Sequence, residues 1–150
     1  MDNGYPYVGF HFKAVFEGIG DADKEARFQE VTGLTAKLET EEITEGGENR
    51  FKHRLPTRSS FSEITLKRAL YLDSAVSDWA LKAIEGLNYA ELEPVDVSIM
   101  LLNEEHKALT SWSVVNAYPT QLQISDLKAE DNGLMVETLT LTYQFFRRIK

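Results

Sequence analysis

Histidine is the side chain best suited to proton transfer and metal binding near neutral pH, and the chain carries three, His11, His53 and His106. None stands in an H-x-x-x-H or H-E-x-x-H spacing, which would aim two ring nitrogens from one helix face at one metal. Asp21, Asp23 and Glu25 alternate as calcium ligands do, yet the run lacks the mid-loop glycine and terminal glutamate of an EF-hand and reads as a solvated turn. Gly46-Gly47 is flexible enough to wrap a phosphate. No G-K-[ST] follows it and no helix start is predicted there, so the lysine and the helix dipole are both missing. No G-x-S-x-G elbow occurs, and no pair of carboxylates is set apart by spacing as an acid and its base. The lack of cysteine removes thiolate nucleophiles, thiolate zinc sites and disulfides. The reading is of a protein with no catalytic residue, no metal site and no cofactor. A monomeric binding module or hydrolase working from a barrel mouth is the alternative, and it requires a deep pocket with converging polar groups.

A second group of residues suggests contact rather than catalysis. Behind the acidic glycine turn Glu45-Gly46-Gly47-Glu48-Asn49 come Arg50, Lys52, His53, Arg54 and Arg58, gathered around Pro56. This arm has little to bury. It reads either as a solvated hairpin or as an electrostatic contact with the acidic remainder of a neighbouring copy, since the formal charge of the chain is -8. The same net charge repels nucleic acid and anionic lipid from the molecule as a whole.

These residues need elements to carry them. The length and apolar content are ordinary for one packed core, so residues 1–150 are read as a single domain. No window approaches a membrane span, and the start Met1-Asp2-Asn3-Gly4-Tyr5-Pro6 lacks the regions of a secretory signal, which predicts a cytosolic protein without a membrane partner. Over 8–16, Phe10, Phe12, Ala14 and Phe16 fall on one face and His11, Lys13 and Val15 on the other, the period of a half-buried strand. Gly18 to Asp23 reads as a turn. A long strand over 28–43 is interrupted at Thr32-Gly33-Leu34 by a bulge or bend, and an extended segment over 61–72 places Ile64, Leu66 and Arg68 on one face. Asp73-Ser74 then caps the one helix, whose core positions Val76, Trp79, Ala83 and Ile84 recur with Ala80 and Leu87 at three- and four-residue steps, and Gly86 offers a stop. Strands follow over 95–101, 109–117, 122–127 and 136–146, with turns at 103–107 and 131–133, and Leu139, Leu141, Tyr143 and Phe145 on one face of the last. The fold class is mainly β, a barrel or sandwich of seven or eight strands with one packed α-helix.

Several of these segments, in order, resemble the phage tail tube family of contractile tails and extracellular contractile injection systems. The resemblance rests on Phe28-Gln29-Glu30-Val31-Thr32-Gly33-Leu34, on Glu41-Glu42 with Glu45-Gly46-Gly47-Glu48-Asn49-Arg50, on His53-Arg54-Leu55-Pro56, and on Ile64-Thr65-Leu66-Lys67-Arg68. It continues through Leu101-Leu102-Asn103-Glu104-Glu105 and Trp112-Ser113-Val114-Val115-Asn116-Ala117-Tyr118-Pro119, and so runs from about Tyr5 to Phe146. It implies a structural subunit whose six copies form a ring, with rings stacking into a hollow tube inside a sheath on a baseplate. Cargo or DNA would pass through the lumen. The protein would assemble in the bacterial cytoplasm and end in a phage-tail-like particle that is released. The same resemblance assigns Glu45, Gly46, Gly47, Arg50, Lys52, His53, Arg54 and Pro56 to a hairpin that reaches neighbouring subunits. The secreted hexameric ring protein of type VI secretion shares this fold and is the alternative within the same architecture, and the initiator ring on the baseplate is a second role for such a chain.

Overall fold

Alternating apolar residues bury one face of a strand at each turn of the chain, and here the buried faces converge on one interior. The structure, a computed structural model, describes residues 11–20, 27–43, 53–86, 93–125 and 135–149. The strands are β1 (His11–Phe16), β2 (Arg27–Phe28), β3 (Glu30–Thr32), β4 (Ala36–Ile43), β5 (His53–Phe61) and β6 (Ile64–Ala69). Helix α1 (Ala75–Glu85) follows, then β7 (Val95–Leu102), β8 (Ala108–Ile124), β9 (Val136–Thr142) and β10 (Phe145–Arg148). The turns expected around 21–23, 45–49 and 131–133, like Leu87 and the start of the first strand at 8–10, lie outside the described residues.

The main sheet runs β2-β1-β7-β8-β9-β6-β3, with β10 added along β8. Its two end strands are consecutive in the chain. Only Gln29 separates them, and its N–H donates to Lys67 O at 2.7 Å. The order of pairing thus returns on itself, with β2 on β1 through Phe12↔Phe28 and β3 on β6 through Val31↔Leu66. The strands wrap a core in which Ile64, Leu66, Ile99, Val114 and Leu141 are fully buried. Closure of this kind leaves few unpaired edges.

Three expectations from the sequence change in detail. The strand expected over 28–43 is three pieces: β2 and β3 stay in the barrel, and β4 leaves it to pair with β5 alone. Gly33 makes the departure. It has φ +93, and a Cβ there would lie 2.0 Å from Glu63 O, so no other residue fits. The two strands expected over 109–117 and 122–127 are one 17-residue strand, since Pro119 and the irregularity beside it are absorbed as a bulge opposite β9 rather than ending the strand. The last expected strand is instead divided at Tyr143-Gln144 into β9 and β10. That interruption changes the alternation, so Phe146 rather than Phe145 joins Tyr143 against the core.

The bend shared by these strands has a local cause. Asn116 adopts φ 53, a left-handed conformation that asparagine tolerates better than most residues. Its N–H donates to Asp96 Oδ1 at 3.0 Å, and its amide Nδ2 donates to Gln144 Oε1 at 2.9 Å. Asp96 and Gln144 are themselves at irregular positions of β7 and of the β9–β10 junction. The three residues tie one corner together.

Helix α1 starts where the sequence predicts. Ser74 is its N-cap, with the Ser77 N–H donating to Ser74 Oγ at 3.0 Å, and Asp78 lies in the first turn, favourable to the helix dipole. Val76 and Ala80 are buried against the barrel, and Trp79 and Ala83 are partly buried. Trp79 lies 5.9 Å from the Phe16 ring and donates Nε1–H to Glu93 O. Ile84, assigned to the docked core, is instead 44% exposed. At 3.6 residues per turn it lies about 80° around the helix from Val76, on the flank of the buried stripe. Gly86 ends the helix without a left-handed turn, at φ -66 and ψ 117, and is needed for space: a Cβ would meet Lys82 O at 2.7 Å.

One buried polar cluster joins helix and barrel. Arg68, on the core face of β6, and Glu137, on β9, are 5% and 3% exposed. Arg68 Nε donates to Glu137 Oε2 at 3.2 Å and Nη2 donates to Ser74 Oγ at 2.5 Å, while the Ser77 hydroxyl donates to Glu137 Oε1. The guanidinium also lies over the Phe28 ring at 5.2 Å. Among the described residues no buried side-chain polar atom is left unpaired. The pair thus meets the condition under which a buried charge is tolerated.

Candidate assembly surface

The β4–β5 ribbon is the part of the chain that the barrel does not use. Its backbone register runs Ala36↔Phe61, Lys37↔Ser60 and Leu38↔Ser59, then after a bulge Thr40↔Pro56, Glu41↔Leu55, Glu42↔Arg54 and Ile43↔His53. Cross-strand partners share a face, so Leu38 and Pro56 belong to one side and Leu55 and Ile43 to the other. Both sides are open: Leu38 is 58% exposed, Leu55 49% and Ile43 41%. Among the described residues little packs on either face beyond its Phe61 end, and a two-stranded ribbon so exposed is marginal in water. Among the described residues no further strand pairs its outer edges, which invites another chain. Exposed Leu38 on one side and Leu55 with Ile43 on the other make it a surface shaped for contact.

In the described part of the arm, two arginines face carboxylates across the ribbon. Arg58 Nε donates to Glu39 Oε2 at 3.0 Å and Arg54 lies 3.5 Å from Glu42, both within the ribbon. The two arginines neutralise their own cross-strand neighbours, and exposed pairs of this kind contribute about 0–1 kcal/mol. The bulge is stitched by Thr57, whose hydroxyl donates to Glu39 O at 3.1 Å. Of the residues assigned to the hairpin, His53, Arg54 and Pro56 lie on β5. Pro56 lacks a backbone N–H, which suits the open ribbon. Glu45, Gly46, Gly47, Arg50 and Lys52 lie outside the described residues.

Where the ribbon meets the barrel, the sequence reading missed a cluster. Phe61, the last residue of β5, packs edge-on to Phe146 with ring centroids 5.2 Å apart and lies 6.1 Å from Tyr143. The Tyr143 hydroxyl donates to Ser62 O at 2.5 Å. Its partial burial pushes the phenol pKa up to about 12, because the phenolate would lose hydration. Alternation placed Tyr143 on a core face, but nothing in the spacing linked it to Phe61, which is distant in the chain.

A cavity of about 880 Å³ opens at one end of the barrel. His11 and His106 meet there with rings stacked 5.6 Å apart. Lys13, Arg27, Arg68 and Tyr71 share the lining with apolar residues, and among the described residues the wall includes no carboxylate, serine or threonine. Among the described residues no three metal-binding side chains converge, and none of the helices is long and apolar enough to cross a membrane.

Comparison with known proteins gives this geometry a context. The sequence model of the T4-like virus tail tube protein gp19 family matches residues 8–147. Among solved structures, a chain of the anti-feeding prophage baseplate, six-fold symmetrised, superposes with a TM-score of 0.78 at 28% identity, covering 97% of this chain and 96% of that one. A chain of the sheath–tube complex of PVC, an extracellular contractile injection system in its extended state, gives 0.78 at 26% identity, covering 98% and 93%. A type six secretion system protein gives 0.66 at 12% identity over 93% and 82%, a likeness of fold alone. No curated protein matches the sequence at significance.

Proposed function

The chain belongs to the T4-like virus tail tube protein family, and from that premise we propose that it is the inner-tube subunit of a contractile injection machine, with six copies forming a ring and rings stacking into a hollow conduit. Its work is structural. The relatives matched at 26–28% identity come from a baseplate and from a sheath–tube complex, which supports a tube built on a baseplate and enclosed by a sheath. The six-fold symmetry of that baseplate supports six copies per ring. The position is either the body of the tube or the ring that starts it, and its lumen passes cargo or DNA. The higher identity to these relatives than to the type six secretion protein favours a phage-type machine.

The observation that carries the reading is the β4–β5 ribbon, open on both sides with an aliphatic residue on each. Laid against neighbouring copies, it hides those residues and pairs the open edges. Stacking in which one surface meets a different surface of the next copy is heterologous and extends into a filament. The hairpin residues Glu45, Gly46, Gly47, Arg50, Lys52, His53, Arg54 and Pro56 belong to this contact. The self-paired Arg54 and Arg58 make its centre aliphatic rather than cationic. The test is the double variant Leu38→Asp with Leu55→Asp. Both side chains are exposed in the single chain, so its unfolding temperature stays close to that of the parent, while rings and tubes disappear from negative-stain images. Normal tubes from the double variant refute the ribbon's role, and a parent that stays monomeric with baseplate and sheath proteins present refutes the assembly reading itself.

A further inference from the structure

The ribbon leaves the barrel at one root. The chain goes out through Gly33 and Thr35 and returns through Ser62, whose N–H donates to Thr35 O at 3.2 Å. Strand β4 has eight residues, a lever of roughly 26 Å at about 3.3 Å per residue. A turn of roughly 10° at the root therefore moves its far end by about 4–5 Å, more than the whole length of a hydrogen bond. A contact surface carried on such a lever is useful only if the root is stiff.

Two aromatic rings of the barrel hold one of the ribbon. Tyr143 follows β9 and Phe146 lies on β10, and both neighbouring strands are pinned along β8. Between them they grip Phe61 at 6.1 and 5.2 Å, and Tyr143 adds its bond to the carbonyl of the next residue, Ser62. The three rings are only partly buried, so they lie at the rim of the core where their ring contacts orient rather than fill. We propose that Phe61, Tyr143 and Phe146 are positioning residues: they fix the angle of the ribbon to the barrel and so the register in which one subunit meets the next. This rests on the ribbon being the contact between subunits, and the test separates the two.

The chain has no cysteine, so a pair of nitroxide labels at Thr40→Cys on the ribbon and Asp78→Cys on the helix reports one distance by pulsed electron resonance on dilute full-length protein. The parent gives a single narrow distribution. Tyr143→Phe keeps the ring and loses only the hydroxyl; it broadens or shifts that distribution while the barrel stays folded. Phe61→Ala broadens it further. Unlabelled Tyr143→Phe then loses tubes at subunit concentrations where the parent forms them. Distances unchanged in both variants overturn the proposal, whatever the tubes do. Broadened distances with tubes as abundant as the parent's sink the ribbon's role in assembly, and the register half of this proposal with it.

Discussion

Replacing Glu137 by glutamine preserves shape and removes one charge from a site that has almost no water. Arg68 and Glu137 are 5% and 3% exposed, with a charged hydrogen bond of 3.2 Å between them. At an effective dielectric of about 20, two unit charges some 4 Å apart attract by about 4 kcal/mol. Loss of one partner leaves the guanidinium buried and uncompensated, which in comparable sites costs about 3–5 kcal/mol. Glu137→Gln is therefore expected to remove a large part of the roughly 5–15 kcal/mol that stabilises a domain. At about 2–4 °C per kcal/mol for a chain of this size, the unfolding midpoint falls by roughly 6–20 °C. The assay is thermal unfolding by circular dichroism at protein concentrations too low for assembly, because association raises the apparent midpoint. Arg68→Leu alone also destabilises, since it leaves the carboxylate buried. The double variant Arg68→Leu with Glu137→Leu recovers more than half of the summed loss, because buried ion pairs are often replaced by apolar residues at little cost. A Glu137→Gln midpoint equal to the parent's refutes the argument, as does a double variant whose loss equals the sum of the single losses.

Other expectations follow from single geometric facts. Gly33→Ala puts a Cβ 2.0 Å from Glu63 O at a φ of +93; it should cost at least about 1–3 kcal/mol, and thermal unfolding within error of the parent would contradict the strain. Trp79→Ala, at a side chain only partly buried against Phe16, should cost about 2–3 kcal/mol, below the 3–5 of a fully buried tryptophan, as read from denaturant midpoints. The Tyr143 hydroxyl, raised from 10.0 to about 12, is protonated in both folded and unfolded chains below pH 10. Between pH 10 and 12 the unfolded chain releases that proton first, so the hydroxyl's contribution to stability falls as pH rises. The gap between parent and Tyr143→Phe should narrow over that window, and a constant gap would exclude the linkage. Asn116→Ala should destabilise more than Asn116→Gly, since only glycine accepts the φ of 53 without strain.

Much of the barrel was legible in the residues because its signals are local. Period-two alternation located β1, β6 and β7, and Asp73-Ser74 before a run with period 3.6 located α1 and its cap. The lack of catalytic spacing was equally local, and the ordered motifs from Phe28 to Pro119 pointed to a tube protein. Three kinds of feature were not. Tyr118-Pro119 breaks alternation, yet pairing with β9 carries β8 straight through it. Whether β4 continues the barrel or leaves it depends on Gly33 meeting Glu63, a close approach between segments that is invisible before folding. Ile84 fits the helical period of the core and is still exposed, because a barrel of finite width covers only part of the stripe.

The arm shows the division most clearly. Its composition marked it as polar and short of anything to bury, which was enough to suggest a contact. Only the cross-strand register decided that Arg54 meets Glu42 and Arg58 meets Glu39. With those charges turned on each other, the exposed leucines and isoleucine are the groups offered to a neighbour. Residue types and short spacing by themselves determined a cysteine-free, β-rich chain with one capped helix, since each of those properties is local. Tertiary structure decided the closing of the sheet, the buried Arg68–Glu137 pair and the aromatic root of the ribbon, since each joins residues far apart in the chain and exists only once long-range pairing has set their distance.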